Sequence, residues 1–106
     1  MFSSVISVLR STLSPQTALD AATGYLENAH KAKNSELALM YCTDAEATLS
    51  RIKRSARKDL ISSLRVEDRA LCQGIAAAYS ELGKILERWE NSVKAKASYA
   101  KAEKWG

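Results

Sequence analysis

Apolar residues recur along this chain at steps of three and four, the spacing that lines one face of an α-helix. Phe2, Val5, Ile6, Leu9 and Leu13 share such a face and predict a short first helix over 2–13. Ser14-Pro15 closes it and opens another, because serine caps a helix N-terminus and proline suits the first helical position. The second predicted helix spans 16–32 with Ala18, Ala22, Tyr25, Leu26 and Ala29 inward, and Asn34-Ser35 makes a short turn. Ala38, Tyr41, Cys42, Ala45, Leu49 and Ile52 form the stripe of a third helix over 35–57, whose end is strongly basic. After a looser connector at about 59–65, Leu71, Ile75, Ala78, Leu82, Ile85 and Trp89 keep one face of a fourth helix apolar over 66–89. Asn91 marks the next turn, and a fifth helix over 92–104 places Ala95, Tyr99 and Ala102 inward and Lys101 in solvent. No segment alternates apolar and polar residues over a strand's length, so no sheet is predicted.

Short turns force consecutive helices to lie antiparallel as neighbours. The predicted fold is therefore all-α, antiparallel helical hairpins forming either a repeat array or a five-helix bundle, in one domain over 1–106. Composition agrees with this. The chain has 106 residues, 46% hydrophobic and 26% charged, with one proline and four glycines, which suits a single folded helical domain.

Shifting the chain by 57 residues brings the two hairpins into register. Tyr25-Leu26 falls on Leu82-Gly83, Ala38 on Ala95, Cys42 on Tyr99, and Ala45-Glu46 on Ala102-Glu103. Repetition of one supersecondary unit is the mark of a helical array. The second hairpin resembles the tetratricopeptide repeat: Tyr79, Leu82-Gly83 and Leu86, then Ala95, Tyr99 and Ala102, follow that family's spacing over about 76–106. In the first hairpin Leu26 stands where the pattern has glycine and Cys42 where it has an aromatic. The resemblance implies a scaffold that binds a partner protein in a groove lined by the first helix of each hairpin. Carried over by position, the implied groove residues are Thr23, Glu27 and His30, with Ser80, Lys84, Glu87 and Arg88.

Charge adds one further candidate. Arg51, Lys53, Arg54, Arg57 and Lys58 supply five of the sixteen Lys and Arg residues in a chain of net charge +4. Such a run can hold nucleic acid or another acidic surface. Equally, cations at a helix C-terminus complement the macrodipole and stay solvated. No aromatic residue interleaves with them, so the alternative of a nucleic-acid binder ranks below a protein-interaction module.

Catalytic and metal chemistry find few residues to work with. Cys42 and Cys72 are isolated and His30 is the single histidine, which is short of the four ligands of a structural zinc site. No Glu-x-x-His pair and no phosphate-cradling glycine loop occurs, so neither an enzymatic activity nor a cofactor is expected. His30 has Glu27 three residues before it, enough for a surface hydrogen bond. Both cysteines fall on apolar helix faces, as free thiols of a reducing cytoplasmic setting do. No run approaches the roughly 20 apolar residues of a membrane span, and one arginine before Asp20 is thin for a mitochondrial presequence. Trp89 reads as core. Trp105 stands beside the last residue, and with no further helix to cover it the sequence predicts a contact with a partner or a second copy.

Overall fold

A computed structural model describes residues 14–52, 60, 62 and 65–106. The helix predicted over 2–13 lies outside them, as do residues 53–59 of the basic stretch and connector. The described residues form four helices and no strand: α1 (Pro15–Lys31), α2 (Ser35–Ser50), α3 (Val66–Arg88) and α4 (Ser92–Trp105). The fold is all-α.

Local chemistry explains the helix starts. Ser14 Oγ accepts the Thr17 amide at 3.2 Å, and Pro15 occupies the first turn, where its missing N–H costs nothing. Asn34 Oδ1 accepts the Leu37 amide at 2.9 Å, and Asn91 Oδ1 accepts the Lys94 amide at 3.4 Å. The two capping asparagines are related by the same 57-residue shift that relates the hairpins. Each hairpin turn thus places three residues between its helices.

These equal turns are closed differently. At the end of α3 the Asn91 amide bonds the Leu86 carbonyl at 2.8 Å and the Glu90 amide bonds the Glu87 carbonyl at 3.0 Å. That pair of bonds is a Schellman closure, and it holds Glu90 in the left-handed region at φ 64°.

The third helix is shorter than its apolar stripe implies. It stops at Ser50, and Arg51 and Ile52 form a turn. The Arg51 amide bonds Thr48 O at 3.3 Å and the Ile52 amide bonds Leu49 O at 3.1 Å, three-residue steps that tighten and end the helix. The hydroxyls of Thr48 and Ser50 take the carbonyls of Asp44 and Ala47, both at 2.8 Å. Such side-chain competition for backbone groups weakens a helical turn.

α3 packs against all three other helices and carries most of the large interior residues: Ile75, Leu82, Ile85 and Leu86, with Leu49 from α2. The first hairpin meets through small residues. Ala18, Ala22 and Ala29 of α1 and Ala38 and Ala45 of α2 are all buried. In the second hairpin Ala95 is fully buried as expected, while Ala102 is half-buried. Gly83 stands so close to Tyr99 that a Cβ there would come within 2.7 Å of the ring.

Three expectations are corrected. Trp105 is not left to a fraying end: α4 includes it, and the indole is 9% exposed within the core. It follows Ala95 and Ser98 on one buried stripe, and the Gly106 amide closes the helix on Ala102 O at 2.9 Å. Trp89 is only partly buried at the end of α3, with the Arg88 guanidinium 5.6 Å over its ring and its buried indole nitrogen without a partner. Lys101 is not free in solvent. Its ammonium lies 3.9 Å from Glu46 of α2 and 5.8 Å over the ring of Tyr79 of α3.

Candidate functional site

A groove of about 290 Å³ runs between α1 and α3. Thr23, Leu26, Glu27 and His30 line it from α1, and Gly74, Ala77, Ala78 and Glu81 line it from α3. Small residues on α3 make the hollow possible. Gly74 lets α1 approach until a Cβ in its place would lie 2.8 Å from the end of Leu19. Leu26 and Ala78 are buried and give an apolar floor, whereas Thr23, Glu27 and Ala77 are exposed at the walls.

His30 Nε2 lies 2.7 Å from Glu81 Oε1, joining the last turn of α1 to α3. A carboxylate only accepts, so Nε2 is the donor. The partner is thus on the second hairpin, not the nearby Glu27. Glu81 is also approached by Lys84 Nζ at 3.8 Å, an exposed pair one turn along α3.

The implied groove residues divide accordingly. Thr23, Glu27 and His30 come together on one wall. Lys84 stands at the rim, and Ser80, Glu87 and Arg88 do not line the groove. The reason is geometric. His30 in the last turn of α1 already stands against Glu81, so Lys84 and Arg88 lie past the end of α1. At 3.6 residues per turn Ser80 and Glu87 sit roughly 100° or more around α3 from Glu81. Glu87 lies instead towards Tyr99, whose phenol is pushed upward by partial desolvation, then by Glu87 and the charge of Glu81. Trp105, buried, offers no surface. The opposite wall at Gly74, Ala77 and Glu81 was missed, because the 57-residue shift matches each residue to its equivalent and says nothing of which flank of the next helix faces it.

Of the basic patch Arg51, Lys53, Arg54, Arg57 and Lys58, only Arg51 is among the described residues. It is exposed and caps the C-terminus of α2.

A second hollow of about 340 Å³ lies at the first hairpin turn, lined by Asn28, Lys31, Lys33, Leu37 and Tyr41 among others. Cys42 is buried in the core, and burial, then the charge of Glu46, push its thiol up to about 11 against a lowering by Lys94. It stays protonated and inert at neutral pH. Among the described residues no group of three or more His, Cys, Asp or Glu side chains is placed to hold a metal ion, and no helix is long and apolar enough to cross a membrane.

No family model matches the chain, and no curated protein or solved structure matches it.

Proposed function

We propose that this chain is a protein-interaction module, a tetratricopeptide-like pair of helical hairpins that receives a segment of a partner protein between α1 and α3. The carrying observation is the groove itself: its walls come from the first helices of both hairpins, its floor is apolar and its edge is polar. Concave sites of that make-up are the usual places of ligand binding. The reading assigns no catalytic role to any residue. Cys42 and Cys72 are both buried and hold no disulfide, which suits a reducing compartment such as the cytoplasm. Burial of Trp105 gives no support to self-association through that side chain.

The test fills the groove. Ala77 is exposed on the wall, so Ala77→Arg obstructs the hollow without entering the core. Affinity capture with the wild-type chain and with this variant, read by mass spectrometry, is expected to retain a partner with the first and lose it with the second. The variant's helical circular dichroism and melting should be unchanged. An identical set of partners on both baits would refute the groove reading.

A further inference from the structure

The groove holds a one-sided inventory of polar groups. The Thr23 hydroxyl donates its proton to Leu19 O at 2.8 Å, so towards the groove its oxygen can only accept. Glu27 makes no side-chain hydrogen bond or ion pair among the described residues, and its carboxylate is an acceptor. The Glu81 carboxylate is an acceptor, and the Nε2 proton of His30 is turned to it rather than to the groove. Among the described residues no Lys or Arg lines the groove, and Lys84 at the rim is directed at Glu81. On a chain of net charge +4 the groove is lined by carboxylates. The other hollow is the reverse: Lys31 and Lys33 line it and, among the described residues, no acid does.

We propose that the occupant of the α1–α3 groove is a cationic peptide segment, one that sets a Lys or Arg side chain against Glu27 and Glu81 and a small apolar side chain on Leu26 and Ala78. This rests on the groove reading and adds the partner's chemistry to it. An ammonium or guanidinium group carries only donors, matching the carboxylates of Glu27 and Glu81 and the Thr23 oxygen. An acidic segment would meet the two carboxylates of Glu27 and Glu81, and like-charge contact of that kind excludes wrong partners. The apolar floor then supplies the remaining contact, since Gly74, Ala77 and Ala78 leave space for a side chain rather than filling it.

The probe is a random dodecapeptide library displayed on phage and selected against the intact chain. Selected peptides are then measured by fluorescence anisotropy against wild type, Glu27→Gln, Glu81→Gln and Ala77→Arg. Enrichment of Lys or Arg beside an apolar residue is expected. Binding should weaken by about tenfold or more in Glu27→Gln, the loss of one charge-assisted hydrogen bond, and should vanish in Ala77→Arg. Glu27→Gln keeps the side chain's shape, and Glu27 is exposed, so its melting temperature should match wild type. Peptides that lack a cation but are blocked by Ala77→Arg would overturn the cationic assignment and leave the groove reading standing. Peptides indifferent to Ala77→Arg, or the absence of any selected peptide, would overturn both.

Discussion

A Cβ on Gly83 would lie 2.7 Å from Cε1 of Tyr99 and 2.9 Å from two more atoms of its ring. Tyr99 is partly buried and packed against the core, so it cannot swing aside without cost. Gly83→Ala should therefore destabilise the chain by about 1–3 kcal/mol through overpacking, outweighing the roughly 1 kcal/mol that alanine contributes to a helix over glycine. Pairing the change with a smaller residue, Gly83→Leu with Tyr99→Cys, reproduces the Leu26 and Cys42 of the first hairpin. The double variant should be more stable than the sum of its single changes, by urea denaturation. Strict additivity would show that the two sites do not share one space.

Glu90 holds a left-handed backbone that favours glycine, and its side chain is exposed. Relief of the roughly 1–2 kcal/mol strain, less the entropy glycine adds to the unfolded chain, should make Glu90→Gly more stable by about 0.5–1 kcal/mol. Thermal and urea melts check this. A loss of stability would mean that the glutamate side chain supports the turn.

The two capping asparagines should differ in worth. Replacing an asparagine cap by alanine costs about 1 kcal/mol. Asn34 bonds its amide at 2.9 Å and Asn91 at 3.4 Å, so Asn34→Ala should be the more damaging. Equal losses in urea denaturation would argue against side-chain geometry as the cause.

Alkaline pH should unfold the chain through Cys42. Its thiol titrates near 9.0 when unfolded and at about 11 in the fold. The unfolded state loses that proton first, so the stabilisation is complete below about 9 and falls away as pH rises through about 11. Tyr79, raised by burial and then by Glu46, adds to the decline above 10.0. Urea midpoints at pH 8 and pH 10.5 should fall less in Cys42→Ala than in wild type. An equal fall would assign the effect to other groups.

Much of this fold is legible in the sequence. The three- and four-residue steps locate four helices and most of their buried faces, because a helix that must bury one side writes that period into the chain. Ser98 is buried off the expected stripe, where α4 is enclosed by its hairpin partner. Trp105 was misjudged by its place beside the chain end, although the spacing from Ala95 and Ser98 carried the signal. The end of α2 was hidden because an apolar stripe through Ile52 does not register hydroxyls competing for carbonyls. Of the groove, one wall was legible through the repeat. The other depended on which flank of α3 turns to α1, a matter of packing between hairpins. The two hairpins also exchange volume between facing helices: Leu26 and Cys42 stand where Gly83 and Tyr99 do. Compared position by position, each exchanged pair reads as two mismatches.

Both hairpin turns hold three residues between their helices, and both hand the chain to an asparagine cap. In such a joint the rotational phase of the second helix is set by residue count. One inserted residue would advance α4 by roughly 100° and carry Ala95, Ser98 and Trp105 out of the interior together. Substitution and length are therefore under different constraints at Glu90: a change to glycine relieves the backbone there, but only one number of residues keeps α4 in phase.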